Sequence, residues 1–114
     1  MAARDGEHDE PICRHFRQAA DLLGKRWNVQ IVRALLSGVG RFSDLRAAVA
    51  PISDNLLSER LKELEAEDIL VREVTPSTPV RIEYRLTDRG KDLGRVIDEL
   101  AAWAERWAAV EADA

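Results

Sequence analysis

One segment of the chain combines an apolar stripe with polar side chains whose chemistry suits the edges of nucleotide bases. Residues 53–67 carry leucines three and four residues apart, the spacing of one helix face, at Leu57, Leu61 and Leu64. Burying these leucines leaves an opposite face that presents Asn55, Ser58, Glu59 and Lys62. Amides and hydroxyls donate and accept at base edges, and an ammonium group binds phosphate or guanine. Glu59 is repelled by phosphate, so it either accepts from a cytosine amine or orients Lys62.

Further polar and basic residues flank this face and extend the same chemistry. Ser53 follows a turn at Pro51 and is a good N-cap, and we count it among the residues that face the nucleic acid. Arg41, ahead of the preceding helix, and Arg60, on the flank of the segment, are predicted to contact phosphates. A hairpin tip is predicted to meet the backbone or the minor groove through Ser77, Thr78 and Arg81.

The elements that must position these residues follow from the apolar periodicity. A frayed lead-in over residues 6–11 precedes a short helix, and Asn28 is predicted as the N-cap of a second helix beside a core residue, Trp27. A third helix, from residue 42 to 49, ends before Pro51, which lacks a backbone donor. Downstream, alternation of period two over residues 69–74 and 81–86 predicts a β-hairpin, whose long tip two prolines stiffen.

The last predicted helix, from Asp88 to about Ala112 with Thr87 as its cap, has an apolar face wider than one packing seam requires. The opposite side carries Gly94, Arg95 and Asp98. We expect part of the apolar face to cover the chain's own core and part to pair with the same helix of a second chain. The predicted dimerisation residues are Leu93, Val96, Ile97, Leu100, Trp103, Trp107 and Val110.

Helix, tight turn, helix and hairpin, in that order, predict a winged helix-turn-helix. The expected fold class is mainly α with a small β-hairpin (α+β), with N- and C-terminal dimerisation helices. We expect a flexible N-terminal segment over residues 1–12, a winged helix-turn-helix DNA-binding domain with its N-terminal helix over 13–91, and a C-terminal dimerisation helix over 92–114.

Composition sets the class of protein. The chain has 114 residues, 46% hydrophobic and 33% charged, which suits one globular domain. No apolar run reaches the roughly 20 residues that a bilayer demands, and the polar N-terminus has no signal-peptide core, so we expect a cytoplasmic protein without membrane contact. The net charge is −4, yet residues 24–91 carry twelve basic and ten acidic side chains, so the middle of the chain is mildly basic.

Catalysis and metal binding have little support in the sequence. The chain lacks a Ser-His-acid order and a glycine-rich phosphate loop, so we expect no enzyme and no cofactor. Cys13 is the only cysteine, which excludes an intramolecular disulfide. Together with His8 and His15 it does not supply the tetrahedral ligand set of zinc, so no metal is expected.

Several motifs, in order, resemble the HxlR-type regulators, winged-helix bacterial transcription factors related to the MarR group. The resemblance extends from about residue 13 to 103 and rests on residues 24–27 (GKRW), 31–38 (IVRALLSG), 41–46 (RFSDLR), 60–65 (RLKELE) and 79–87 (PVRIEYRLT). It implies a homodimer, joined through its terminal helices, that binds an inverted-repeat operator. Asp68 stands where the family's helix-to-strand turn usually has glycine.

The resemblance also bears on Cys13, because several members of the family sense electrophiles or oxidants through a lone N-terminal cysteine. A sensor thiol must be exposed and partly thiolate, and the cationic residues Arg14, His15 and Arg17 lie close by. Cys13 is followed by Arg14 where the family usually has proline. The two interpretations are a redox sensor with an unidentified oxidant or small-molecule effector, and an inert, half-buried cysteine near a dimer interface.

The functional expectation is a homodimeric, sequence-specific transcriptional regulator, in its simplest form a repressor, whose partner is a double-stranded DNA operator. The rival hypothesis is a winged helix that has lost DNA binding and uses its terminal helix to bind a different protein. The net charge of −4 and the position of Glu59 on the predicted reading face favour that rival.

Overall fold

The computed structural model describes the backbone of residues 2–113 and the side chains of residues 13–112. Met1 and Ala114, at the outer ends of the two predicted terminal segments, and the side chain of His8 lie outside the described residues. The elements are α1 (Ala2–Gly24), α2 (Asn28–Leu36), α3 (Phe42–Ala48), α4 (Asp54–Ala66), β1 (Leu70–Thr75), β2 (Arg81–Leu86) and α5 (Asp88–Asp113). The predicted mainly α fold with one β-hairpin is confirmed.

The N-terminal part of the chain differs from the prediction. The segment expected as a frayed lead-in is helical, since α1 runs without interruption from Ala2 to Gly24. Five of residues 2–10 are alanine, arginine or glutamate, types with high helix propensity. Every described side chain from residue 13 to 21 is exposed, so α1 projects from the rest of the chain.

The start of α2 also departs from the prediction. Its N-cap is Trp27, which adopts a left-handed φ of 83°, and Asn28 is the first helical residue. Asn28 is 2% exposed, and its Nδ2 donates to the carbonyl oxygen of Leu22 at 2.9 Å. The Asn28 side chain, which was predicted to cap α2, therefore connects the start of α2 to the end of α1 through this hydrogen bond. Trp27 is half-buried against the core, as predicted.

The core lies where α2, α3, α4, the base of the hairpin and the first half of α5 meet. Its buried members are aliphatic, and they include Ile31, Leu35, Leu45, Leu57, Leu61, Leu64, Ile69, Leu70, Leu86 and Ile97. These residues recur at helical spacing in the helices, which gives each helix an apolar face, whereas each strand contributes one fully buried residue at the base of the hairpin, Leu70 or Leu86.

The hairpin forms the wing of the fold. β1 and β2 are antiparallel, and their register pairs Leu70 with Leu86 at the base and Thr75 with Arg81 at the tip. The backbone N–H of Tyr84 donates to the carbonyl oxygen of Gly40 at 2.8 Å, so the loop before α3 is fastened to β2. At the turn into β1, Asp68 takes the left-handed conformation with φ 61°, which glycine adopts without strain.

Small residues let α5 approach the wing base. Thr87 caps α5 as predicted, because its Oγ1 accepts from the N–H of Gly90 at 3.1 Å. A side chain at Gly90 would overlap the carbonyl oxygen of Ile69. Gly94, which the sequence placed on the solvent side, is buried against Leu36. The prediction that Gly94 faces solvent was therefore wrong. Gly90, Gly94 and Ile97 are four and three residues apart, which places them on one face of α5, and this spacing could have identified the inner face.

Candidate nucleic-acid interface

A tight connection fixes α4 relative to α3. Val49 and Ile52 flank Pro51 and are both buried, so the turn is anchored from two sides. The backbone N–H of Ile52 donates to the carbonyl oxygen of Val49 at 3.2 Å. Arg46 Nε lies 2.5 Å from Asp54 Oδ1 and connects the last turn of α3 to the first turn of α4, an ion pair that the sequence analysis had missed. The arrangement holds the start of α4 at the surface.

α4 buries its leucines and exposes its polar face, as its periodicity predicts. Leu57, Leu61 and Leu64 are at most 1% exposed. On the other side Asn55, Glu59 and Lys62 are exposed and Ser58 is half-buried. The hydroxyl of Ser53 accepts from the N–H of Leu56 at 3.1 Å and caps the helix as predicted, which occupies one of its acceptor positions. No ion pair joins Glu59 to Lys62 in the part of the chain that the structure describes, so the carboxylate does not orient the ammonium group.

Arg41 and Arg60, both predicted to contact phosphates, have different surroundings. Arg41 is exposed at the N-cap of α3 and is free to reach a phosphate. Arg60 turns inward: its side chain is 12% exposed, its Nε donates to the carbonyl oxygen of Arg26 at 3.0 Å, and its Nη1 donates to Glu63 Oε1. Two of the five N–H groups of Arg60 are therefore engaged within the chain, and its side chain is less accessible to a phosphate than that of Arg41.

The wing presents charged side chains that are mostly paired. Arg81 is exposed and its Nε lies 3.6 Å from Glu83 Oε1, a loose contact that a phosphate can displace. Arg85 donates two hydrogen bonds to Glu73, and this guanidinium lowers the pKa of the Glu73 carboxyl. Arg72 is exposed on β1, and the sequence analysis had overlooked it as a cation of the wing.

The tip of the wing is exposed, as its predicted role requires. Ser77 and Thr78 are both exposed. Ser77 Oγ donates to the carbonyl oxygen of Pro79 at 2.6 Å, so this hydroxyl stabilises the tip and retains only acceptor capacity toward a ligand. Thr78 is the other hydroxyl that the tip offers.

α5 has two apolar faces rather than one. Ile97 is 2% exposed and Leu93 is half-buried, and both pack against the chain's own core. Ile97 is therefore not available to a second chain, and its predicted dimerisation role is wrong; Leu93 belongs mainly to the inner face. The remaining predicted residues are about half exposed and form a continuous outer stripe: Val96, Leu100, Trp103, Trp107 and Val110. Phe16 on α1 is 72% exposed, an apolar surface residue that the dimerisation prediction did not name.

Cys13 is exposed on α1, which excludes the half-buried interpretation within this chain.

Among the described side chains no group of three His, Cys, Asp or Glu residues is arranged to hold a metal ion. None of the described helices combines the length and the apolar character needed to cross a bilayer.

A family model described as HxlR-like helix-turn-helix matches residues 22–112. The chain belongs to the HxlR-like helix-turn-helix family. It is 51% identical over 96 residues to YvaP of Bacillus subtilis, an HTH-type transcriptional regulator, a match that covers 84% of this chain and 89% of YvaP. It is 43% identical over 96 residues to the transcriptional regulator YodB of the same organism, covering 84% of this chain and 86% of YodB.

Solved structures agree with this membership. The reduced form of YodB superposes with a TM-score of 0.72 at 44% identity, covering 79% of this chain and 88% of that one. YodB is also known in diamide-treated and quinone-bound forms. The redox regulator HypR in its reduced form gives a TM-score of 0.78 at 28% identity, covering 87% of this chain and 98% of that one. The resemblance inferred from the sequence is confirmed, and these HxlR-like relatives are named as regulators rather than as enzymes.

Proposed function

We propose that this HxlR-like protein is a homodimeric regulator that binds an inverted-repeat operator in a sequence-specific manner and represses transcription from it. The observation that carries the proposal is the division of α4 into a fully buried leucine face and an exposed polar face. A recognition helix needs that division, because base edges in the major groove are read by amide, hydroxyl and charged groups that no contact within the protein consumes. Asn55 and Lys62 meet this condition most fully.

The wing and the N-cap of α3 supply the contacts that hold such a helix in register. Arg41 at the N-cap of α3 and Arg81 on β2 are both exposed, and exposed arginines beside a recognition helix bind phosphates without reading sequence. Arg72 adds a third exposed guanidinium on the wing. These cations lie on the DNA-binding region although the whole chain carries a net charge of −4.

The outer stripe of α5 supports the dimer. Its residues Val96, Leu100, Trp103, Trp107 and Val110 follow one another at spacings of four, three, four and three, the repeat of a coiled-coil seam. Two α5 helices that pack along this seam bury apolar surface which each chain alone leaves in water. A two-fold dimer presents two copies of α4, and such pairs read half-sites about one helical turn of DNA apart.

Thiol sensing is a second candidate function, and the exposure of Cys13 favours it. The relative YodB has been solved in diamide-treated and quinone-bound forms, which adds support. On this hypothesis a Cys13→Ser dimer remains on its operator when diamide or a quinone is added, whereas the unmodified protein is released. Release of the variant as readily as the parent would remove Cys13 from the mechanism.

The proposal is tested by selecting duplexes from a random pool and measuring their binding by fluorescence anisotropy at several salt concentrations. We expect one dimer per selected duplex, a sequence with two-fold symmetry, and affinity that falls steeply with salt because phosphate contacts release counterions. A scrambled duplex serves as the control and should bind at least about a thousandfold more weakly. Failure to enrich any duplex, with a different protein captured through α5, would favour the interaction-module hypothesis.

A further inference from the structure

Two side chains on one flank of α4 hold the turn between α1 and α2. Arg60 Nε donates to the carbonyl oxygen of Arg26 at 3.0 Å, and Glu63 Oε2 accepts from Lys25 Nζ at 2.8 Å. Arg60 Nη1 also donates to Glu63 Oε1 at 3.0 Å, which connects the two α4 side chains to each other. We call these four residues, Lys25, Arg26, Arg60 and Glu63, the turn clamp. It spans 34 to 38 residues of sequence and joins α4 to the end of α1.

The turn clamp is more than a surface ion pair. The Arg60 side chain is only 12% exposed, and a guanidinium in such surroundings is tolerated because charged and polar acceptors satisfy it. The Lys25 hydrogen bond lowers the pKa of the Glu63 carboxyl, with a smaller contribution from Arg60 against the opposing effect of desolvation. Glu63 therefore stays ionised at neutral pH and keeps both contacts.

The turn that the clamp holds is conformationally demanding. Trp27 has a φ of 83°, a left-handed conformation that a bulky residue adopts only when its surroundings impose it. The Arg26 guanidinium stacks over the Trp27 ring, 4.7 Å from its centroid. Arg60 and Glu63 bind the two residues immediately before Trp27, so they contribute to imposing this conformation.

We infer that Arg60 and Glu63 are positioning residues, which set the rotation and depth of α4 and thereby the aim of its base-reading face. The inference rests on the proposed DNA-binding function. The buried leucines and the connection to α3 hold α4 against the core, and the hydrogen bonds to a carbonyl and an ammonium add directional contacts that fix distance and angle on its flank. Base recognition tolerates little displacement of α4, since side chains that lie about 1 Å from their required positions can no longer form paired hydrogen bonds with a base edge.

The variant Glu63→Gln separates positioning from simple electrostatics, because the two explanations predict opposite signs. Removing a negative charge near DNA strengthens binding if only long-range charge matters. Loosening the turn clamp weakens it, since only molecules with α4 correctly aimed bind the operator. We expect about a tenfold loss of affinity for the selected duplex, the effect of losing one charge-assisted hydrogen bond.

The matched control is Glu65→Gln, which removes the same charge from the same helix at an exposed position that forms no ion pair among the described residues. We expect it to bind the selected duplex as well as or slightly better than the parent. Affinity for a scrambled duplex should be unchanged or slightly higher in Glu63→Gln, because phosphate contacts do not depend on the aim of α4 and the variant has lost one negative charge. Equal binding by Glu63→Gln and Glu65→Gln, or a parallel loss on both duplexes, would overturn the inference.

A second measurement requires no DNA and therefore distinguishes failure of this inference from failure of the proposed function. Amide hydrogen exchange in the free protein should become about tenfold faster in α4 for Glu63→Gln, with the exchange of α5 unchanged and with no change in α4 for Glu65→Gln. Lys25→Met should reproduce the effect, and the double variant should add little, because both substitutions open the same contact. Unchanged exchange in α4 would show that the turn clamp does not hold the helix, whatever the DNA results.

Discussion

Replacing Trp103 by alanine should separate the dimer into single chains. Trp103 is 56% exposed on the outer stripe of α5, and a tryptophan buries up to about 250 Å² when fully covered. Covering the exposed half with a second chain removes on the order of 140 Å² from water, or about 3.5 kcal/mol per chain at 25 cal/mol per Å². Since the substitution acts in both chains, even half of this effect raises the dimer dissociation constant by more than about a hundredfold.

Sedimentation velocity over a concentration series measures this change directly. The parent should sediment as a dimer at micromolar concentration, whereas Trp103→Ala should sediment as a monomer with unchanged helix content by circular dichroism. Glu105→Ala is the matched control, because residue 105 lies on α5 opposite the outer stripe and is exposed. A parent that is already monomeric, or a Trp103→Ala protein that dimerises as tightly as Glu105→Ala, would refute the assignment of the stripe to the interface.

Three further predictions concern the stability of a single chain, and thermal or urea unfolding measures each. Gly90→Ala should lower the free energy of unfolding by about 3 kcal/mol, since the new methyl group meets the Ile69 carbonyl, which is backbone and cannot turn away; an unchanged midpoint would contradict the close approach. Asp68→Gly should raise the free energy of unfolding by up to about 1 kcal/mol, because glycine adopts a φ of 61° without strain; a loss of stability would show that the Asp68 side chain matters more. The Glu63 pKa is lowered on folding, so the contribution of its pairing is present above the unfolded-state pKa and disappears as the pH falls through the folded-state pKa. Lys25→Met should therefore destabilise the chain at pH 7 but not at pH 2, and an equal loss at both values would contradict the ionic origin.

The helices and the hairpin could be predicted from the sequence because local signals agreed with tertiary packing. The leucines of α4 repeat at helical spacing, Ser53 caps the helix, and the predicted segment 81–86 is the strand β2, whose last residue, Leu86, is buried. The outward face of α4 followed from the same stripe, since exposure on a helix is the complement of burial.

The structure departs from the predictions where tertiary contacts, rather than local sequence, determine what a side chain contacts. Arg60 lies on the flank of α4, and nothing local distinguishes a guanidinium that meets phosphate from one that meets a carbonyl 34 residues away. The width of the apolar face on α5 predicts two neighbours, but it could not assign Ile97 to the core and Trp103 to the surface. Asn28 resembled an N-cap by type, yet the left-handed Trp27 before it moved the helix start by one residue.

The central claim is that the outer face of α4 and the wing bind DNA, and an anisotropy titration of a triple variant, Asn55→Ala, Lys62→Ala and Arg81→Ala, tests it most directly. These three side chains are exposed and outside the buried core, so the variant should fold and dimerise like the parent. Each lost contact costs about 1–3 kcal/mol, so affinity for the selected duplex should fall at least about a hundredfold. Unchanged binding by the folded triple variant would contradict the account.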